Sequence, residues 1–284
     1  SQDIYHLILS YLFFQRNIIN DENIIKHINY IFVRMVKTNE RARLNVPCME
    51  ELEYIECLKS IFVNIYLFTG KEIKIKIESY TTFKEVKKKI MKLLDFSLQQ
   101  SAYYCIYEIC YKKKSTEERF IDDNEIVCDV MALWHSDKIK YKKRGEEISF
   151  KFYLKLLIYY PFDRNDIDII SIIFDQTLYD VISGKFTFEI KDILILAALQ
   201  LVNEFEQQRY KAYTYLQENC TKFIPGNRLK LLLPNQWVEK IISIYTTISC
   251  YPKNEIKLLY LKYLEKCPTY QAQLFDSKFL ANKS

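Results

Sequence analysis

The stretch Glu72–Glu78 reads EIKIKIE and alternates charged and apolar residues without an exception. Because successive side chains of a β-strand point to opposite faces, this alternation predicts a strand with its isoleucines inward and its charges outward. The preceding stretch Phe62–Phe68 is also strand-like, and Thr69–Lys71 supplies a tight, glycine-containing turn between the two. The two stretches are therefore predicted to form a β-hairpin.

A helix is predicted directly after the hairpin, because the apolar residues there recur at steps of three and four. Thr81 or Thr82 is its expected N-cap. The apolar stripe consists of Phe83, Val86, Ile90 and Leu93. Further strands are predicted at Tyr103–Tyr111, Arg119–Ile121 and Phe150–Tyr160, with a helical turn at Asp129–Trp134. This order of elements, with the helix covering one face of a mixed sheet, is that of a ubiquitin-like roll.

Both flanks of this strand-rich region repeat every three to four residues. Upstream, residues 1–60 are predicted to be helical, with Asp21 as the N-cap of the second helix. These helices have apolar faces with too little partner surface, so we expect them to be the end of a larger bundle. From Pro161 onward a compact helical bundle is predicted, and Gly184 ends its first helix because the residue after a helix favours a left-handed conformation. Its later helices are predicted at Tyr210–Asn219, Gln236–Ser249 and Asn254–Lys266.

Composition narrows the class of protein. Hydrophobic residues make up 49% and charged residues 27%, which is a globular balance. No run approaches the roughly 18 apolar residues that cross a bilayer. The eight cysteines form no CxxC pair, so we expect reduced, mostly buried thiols. The net charge of +5 is mildly basic and permits contact with an acidic surface.

The sequence contains no pattern that predicts catalysis, a metal site or a cofactor. None of the four glycines belongs to a phosphate-binding loop. Asp163, Asp166 and Asp168 lack the glycine and glutamate of a calcium-binding loop, and we expect them to act at a helix N-terminus. The histidines are isolated from one another and from any metal-binding motif; they are His6, His27 and His135.

Two runs of basic residues are the candidate binding sites. The first lies on the helix after the hairpin and consists of Lys84, Lys87, Lys88 and Lys92. Lys84, Lys92 and either Lys87 or Lys88 are expected on the solvent side of that helix. The second precedes the last strand and consists of Lys138, Lys140, Lys142, Lys143 and Arg144. A shorter run, Lys112–Lys114, follows the third strand. An acidic partner would suit them, either phosphoinositide headgroups or the acidic surface of a microtubule, whereas ordinary solvated surface is the alternative.

Three parts of the chain resemble the FERM family of cytoskeletal adaptors. The strand-rich region is similar to the FERM ubiquitin-like lobe at Tyr104–Glu108, Glu118–Ile121, Glu125–Val130 and Trp134. The downstream helices resemble the FERM central lobe and its exit at Leu196–Gln200 (LAALQ), Lys257–Lys262, Pro268–Tyr270 and Leu274–Phe275. Upstream, Arg41–Glu50 resembles the close of a myosin-tail-homology-4 (MyTH4) domain.

The sequence departs from the family at two positions. Val46–Pro47 stands where a double proline is usual, and Gln271 stands where a glycine is usual. The resemblance implies an α+β multi-lobe fold: a helical segment, a ubiquitin-like β-grasp lobe and an acyl-CoA-binding-protein-like helical bundle. The expected domains are the MyTH4 end (1–59), the ubiquitin-like lobe (60–161), the central lobe (162–269) and the truncated start of a third lobe (270–284).

The resemblance also implies a function. Such a chain would be a non-catalytic adaptor without a cofactor, from a myosin tail, a kinesin tail or another FERM protein. Its implied partners are cytoskeletal or cargo proteins, and a phosphoinositide membrane surface or microtubules, at a cytoplasmic, cytoskeleton-associated and membrane-peripheral location. One alternative is a FERM-containing signalling protein whose catalytic domain lies outside this chain. The other is a basic nucleic-acid-binding protein; we expect no nucleic acid, because the charge is modest and no recognition motif is present.

Overall fold

The computed structural model describes residues 2–39, 44–57, 59–113, 115–157, 165–267 and Tyr270. The chain divides into two compact units, the first holding residues 1–66 and 71–155 and the second holding 67–70 and 156–284. The motif residues 41–43, 268–269, 271 and 274–275, as well as Pro161 and Asp163, lie outside the described residues.

The helices of the first unit are α1 (Gln2–Ile18), α2 (Glu22–Asn39), α3 (Met49–Glu56), α4 (Phe83–Leu93), α5 (Leu98–Ala102) and α6 (Val127–Lys143). The strands are β1 (Ile61–Tyr66), β2 (Glu72–Ile77), β3 (Tyr104–Lys112), β4 (Thr116–Phe120) and β5 (Ile148–Leu156). The helices of the second unit are α7 (Ile167–Ile182), α8 (Ile190–Phe205), α9 (Arg209–Asn219), α10 (Pro234–Ile248) and α11 (Lys253–Leu264).

The strands form one mixed sheet in the order β2-β1-β5-β3-β4. The predicted hairpin is present: β1 and β2 are antiparallel, with Val63 opposite Ile75. Along β2 the isoleucines are buried and the charged residues are exposed, as the alternation predicted. β5 pairs with β1 in parallel, and β4 pairs with β3 in antiparallel. Residues 158–160 of the predicted last strand lie outside the described residues.

Helix α4 packs against the sheet through Phe83, Val86, Ile90 and Met91. It begins at a capping box in which the backbone N–H of Thr82 donates to the Glu85 carboxylate at 2.9 Å. The prediction that Leu93 belongs to the buried stripe is wrong, because this side chain is 63% exposed. At about 100° per residue, Leu94 rather than Leu93 continues the line of Phe83 and Ile90.

One helix is longer than the sequence predicts, and another was not predicted. The expected turn at Asp129–Trp134 is part of the 17-residue helix α6. Its first residues are buried, but its second half is rich in lysine and has little apolar periodicity, so the pattern hides the helix. Helix α5 was not predicted; Ser97 and Gln100 form its capping box. Trp134 of α6 stacks on Phe150 of β5 with ring centroids 5.3 Å apart.

Helices α1 and α2 pack against each other, with the rings of Phe13 and Phe32 6.5 Å apart. Asp21 caps α2 as predicted, because its carboxylate accepts from the backbone N–H of Asn23 at 2.8 Å. Several large apolar side chains on this helical pair remain exposed. They are Tyr11, Phe13, Phe14, Ile18, Ile24, Ile31 and Val33.

The second unit is a helical bundle with α8 at its centre, packed against α10 and α11. All five residues of the LAALQ stretch, Leu196–Gln200, are buried. Gly184 ends the turn after α7 at φ +79°, as predicted. Helix α8 begins at Glu189 with a capping box to Asp192.

Candidate functional site

Some lysines of α4 extend into solvent, whereas others form an ion pair or a hydrogen bond within the chain. Lys84, Lys88 and Lys92 are exposed on the solvent side, where the sequence placed them. Lys87 is only 13% exposed, because its Nζ donates to the carboxylate of Asp123 at 2.6 Å. Lys89 is exposed, but its Nζ donates to the backbone carbonyl of Lys76 at 2.8 Å. The candidate acidic-partner surface on this helix therefore reduces to three exposed lysines, and Lys87 joins α4 to the loop before α6.

The second basic run lies on the last turns of α6 and on its C-cap residue, not in a loop. All five predicted residues are exposed: Lys138, Lys140, Lys142, Lys143 and Arg144. Lys140 pairs with Asp137 at 2.9 Å. Gly145 follows with φ +73°, the left-handed conformation that stops a helix at low cost. The helix distributes these cations around its axis, which the sequence run does not reveal.

Two basic runs meet at Tyr141. The Nζ of Lys112, at the end of β3, lies 5.5 Å from the centre of the Tyr141 ring, and the guanidinium carbon of Arg144 lies 5.8 Å from it. Both distances suit cation–π attraction. Lys112 also forms an ion pair with Glu117, and that hydrogen bond is the main reason for its raised pKa. The structure thus brings the run that starts at Lys112 to the end of α6; Lys114 lies outside the described residues.

A buried carboxylate joins the segment after α2 to the ubiquitin-like lobe. Asp129, in the first turn of α6, is 5% exposed. Its two oxygens accept from the backbone N–H groups of Leu44 at 3.0 Å and Asn45 at 3.1 Å. The Asn45 side chain donates in turn to the Asp129 carbonyl at 3.2 Å. Nothing in the sequence marks this contact, because its partners are more than 80 positions apart.

The sheet contains a second polar feature that sequence analysis missed. Lys155 of β5 is only 1% exposed. Its Nζ donates to Glu118 of β4 at 2.9 Å and lies 5.4 Å from the centre of the Tyr107 ring. Nearby, the hydroxyl of Tyr111 donates to that of Tyr153 at 3.0 Å, and burial raises the pKa of Tyr111. The advance signal was that two lysines, Lys151 and Lys155, interrupt the largely apolar strand β5.

Three further features concern metal ligands, thiols and apolar helices in the described part of the chain. His, Cys, Asp and Glu side chains form no group of three or more there that could hold a metal ion. Four of the eight cysteines are buried, fewer than expected. Burial raises the pKa of the Cys105, Cys110 and Cys220 thiols, which lowers their reactivity as thiolates. Among the described helices, none has the length and apolarity needed to cross a bilayer.

Comparison with known families divides the chain in two. Residues 59–158 match the model of the RA-like domain. Residues 164–275 match the model of the FERM central domain. The first match covers the sheet with α4–α6, and the second covers the bundle that contains the buried LAALQ helix.

Solved structures with a similar fold include MyTH4-FERM domains of myosins. The MF1 domain of Dictyostelium discoideum myosin VII is 19% identical, with a TM-score of 0.73, over 95% of this chain and 55% of that chain. The MF2 domain of the same myosin is 15% identical, with a TM-score of 0.69, over 100% of this chain and 58% of that chain. The C-terminal MyTH4-FERM domain of human myosin 7b, solved in complex with the harmonin-a PDZ3 domain, is 17% identical, with a TM-score of 0.62, over 87% and 51%. This chain therefore spans little more than half of each solved chain.

A ubiquitin-like lobe followed by a helical lobe with the FERM central pattern defines the class of FERM modules. Residues 59–158 thus match an RA-like domain and residues 164–275 a FERM central domain, and the chain has the fold of MyTH4-FERM domains.

Proposed function

We propose that this chain is a non-catalytic adaptor module of a motor-protein tail. It would connect cytoskeletal or cargo proteins to an acidic surface, either a phosphoinositide membrane or a microtubule. The order of the three parts supports this: a MyTH4 end, a ubiquitin-like lobe and a FERM central lobe in one chain. The Asp129 contact also supports it, because a clamped junction holds the surfaces of neighbouring lobes in a constant geometry for a partner.

Within this proposal we divide the chain at residues 59, 161 and 269, into the MyTH4 end, the ubiquitin-like lobe, the central lobe and the start of a third lobe. The central lobe would have the helix arrangement of acyl-CoA-binding proteins. Helices α7–α11 of the second unit are compatible with that arrangement.

The α4 lysines are the first proposed contact with an acidic surface. Lys84, Lys88 and Lys92 lie at steps of four along one side of the helix and are all exposed. Each cation close to an anionic leaflet contributes roughly 1 kcal/mol to binding. Three of them would suffice for association with such a surface. This association would weaken as ionic strength rises, because salt screens surface charges that are separated by more than a Debye length.

The test is co-sedimentation of the chain with anionic vesicles and, separately, with microtubules at increasing salt. The triple variant Lys84→Glu, Lys88→Glu, Lys92→Glu should lose binding to the support that the wild-type chain binds. The control reverses Lys211, Lys230 and Lys240, which are exposed lysines of the second unit. Absence of wild-type binding to both supports, or equal loss in the control, would reject the acidic-surface proposal.

A second control separates binding from folding. Lys87→Ala removes the ion pair with Asp123 and should lower stability by about 1 kcal/mol without changing binding. Lys88→Ala should weaken binding without changing stability, because Lys88 is exposed on the solvent side.

A further inference from the structure

Helix α11 carries apolar side chains on two opposite sides. Its inner side packs in the core of the second unit through Ile256, Tyr260 and Leu264. At about 100° per residue, Leu258 and Leu259 lie on the outer side, and Leu259 is 37% exposed. Both leucines line an open groove of about 210 Å³ on the surface of this unit. We call the outward residues of the groove the α11 face; they are Tyr251, Glu255, Leu258, Leu259, Lys262 and Glu265.

Charged side chains surround the two leucines of the α11 face. Glu255, Lys262 and Glu265 are all exposed. Within the part of the chain that the structure describes, none of the three forms an ion pair or a side-chain hydrogen bond. Lys257 of the same helix differs, because its Nζ donates to the Ser171 hydroxyl at 2.8 Å. The outward charges are therefore available to a partner, and the leucines gain free energy when a partner removes them from water.

The order of side chains along α11 is complementary to its own reversal. Glu255 and Lys262 lie equally far from the midpoint between Leu258 and Leu259, on opposite sides of it. At about 100° per residue, both charges point in nearly the same direction, between the two leucines. Consider two antiparallel copies of α11 related by a two-fold axis level with that midpoint. Glu255 of each copy then lies opposite Lys262 of the other, and each leucine packs against the same leucine of the second copy.

We propose that the α11 face pairs with the α11 face of a second copy of this chain, in antiparallel orientation. The pairing buries the leucines of both copies and forms two identical ion pairs between Glu255 and Lys262. A second copy suits this face better than an unrelated partner, because the same helix supplies the complementary charge at each position.

The expected dimer is weak and reversible. An interface limited to a 12-residue helix is smaller than the roughly 1,200 Å² at which stable complexes begin, so we expect a micromolar dissociation constant. Such a dimer would give an adaptor two copies of each of its binding surfaces, and two joined sites bind a common support more tightly than one. The pairing itself involves only the second unit and does not depend on the α4 lysines.

The charge arm of the test is sedimentation of the full chain over a concentration series. Glu255→Lys and Lys262→Glu each place two pairs of like charges in the interface, so the dissociation constant of either variant should rise by about tenfold or more. An equimolar mixture of the two variants should form a heterodimer with the wild-type dissociation constant, because all four charges are then complementary. The matched control uses exposed charges with the same spacing on α9: Lys211→Glu and Glu218→Lys should each dimerise like the wild type.

The second arm tests proximity across the two-fold axis. Cys57→Ser and Cys250→Ser first remove the exposed thiols of the described residues. In that background Leu259→Cys should form an interchain disulfide when dissolved oxygen is the oxidant, because position 259 of one copy meets position 259 of the other. Leu233→Cys, at a site that is 67% exposed in the same unit, should remain monomeric on a non-reducing gel.

Several outcomes would overturn the inference. A wild-type chain that stays monomeric throughout the concentration series has no such pairing. A dimer that neither charge reversal weakens uses another surface. If each single variant is monomeric and their mixture is monomeric as well, Glu255 and Lys262 do not face each other across an interface. If Leu259→Ser lowers the melting temperature of a monomeric chain by several degrees, another part of the same chain covers the groove and the pairing is rejected. The adaptor proposal is unaffected by these outcomes, because co-sedimentation tests it through other residues.

Discussion

Asp129 and Asn45 are joined by two hydrogen bonds, and Asn45 is the donor in both. The backbone N–H of Asn45 donates to the Asp129 carboxylate at 3.1 Å, and the Asn45 side chain donates to the Asp129 carbonyl at 3.2 Å. The same carboxylate accepts from the backbone N–H of Leu44. A single buried side chain therefore satisfies two consecutive backbone N–H groups in the described part of the segment between α2 and α3.

Replacement of Asp129 tests this junction. Asp129→Ala leaves two backbone N–H groups without their acceptor, and we expect the free energy of unfolding to fall by about 2–3 kcal/mol. Urea denaturation followed by tryptophan fluorescence measures it, because Trp134 lies on the same helix. Asp137→Ala is the control, since it removes only an exposed pair with Lys140 and should cost less than about 1 kcal/mol. Equal losses in the two variants would contradict the clamp.

The buried ion pair of the sheet predicts an asymmetry between its two partners. Glu118→Ala removes the carboxylate that pairs with the nearly buried charge of Lys155, and we expect the free energy of unfolding to fall by about 3 kcal/mol. Lys155→Met replaces the cation with an apolar side chain of similar length and should be nearly neutral, because it also removes the cost of burying the charge. Thermal or chemical unfolding measures the loss of stability in each of the two variants. A larger loss for Lys155→Met would show that the cation itself stabilises the sheet.

Backbone strain after α8 predicts a stabilising substitution. Glu206 has φ +50° and ψ −118°, a conformation that glycine adopts far more readily than other residues. Glu206→Gly should raise the free energy of unfolding by about 1 kcal/mol, and the hydrogen bond from the Tyr245 hydroxyl to the carbonyl of residue 206 can remain. Asp95→Gly, at φ +56°, should stabilise less, because Asp tolerates positive φ better than Glu. No gain at position 206 would mean that the Glu side chain compensates for the strain.

The tyrosine at position 263 predicts a loss of stability at high pH. Desolvation, together with the hydrogen bond to Asp192 and the nearby carboxylates, raises the pKa of Tyr263 to about 12. In the unfolded chain a tyrosine has a pKa of about 10, so between these values the unfolded state loses its proton first. The stability that Tyr263 contributes should thus be fully present below about pH 10 and should decline as the pH rises toward 12.

This prediction is measured as the difference in unfolding free energy between the wild type and Tyr263→Phe. The difference should be constant from pH 7 to 9 and should shrink above about pH 10. Tyr213→Phe, at an exposed site on α9, serves as the control for alkaline effects on the whole chain. A difference that does not change with pH would show that the Tyr263–Asp192 contact is absent in solution.

Comparison of particular elements shows what sequence reasoning can and cannot reach. The strand Glu72–Glu78 was predicted because the decisive information is local: a two-residue period in a half-buried strand admits one orientation. The length of α6 was not predicted, because the lysine-rich second half of this helix has little apolar periodicity. The α4 lysines were correctly placed on one helix, yet the engagement of Lys87 was hidden, since its partner Asp123 lies 36 positions away.

The sequence by itself determined the order of the lobes, the hairpin that starts the ubiquitin-like lobe, and the buried LAALQ helix, because each depends on periodicity or on short motifs. Only the tertiary structure decided which charges form ion pairs, as for Lys87 and Lys155, and which remain exposed, as for Lys84 and Lys88. The physical reason is that ion pairing and burial depend on distances between residues far apart in the chain. Local patterns reveal which residues are available, and the packing of the elements determines their partners.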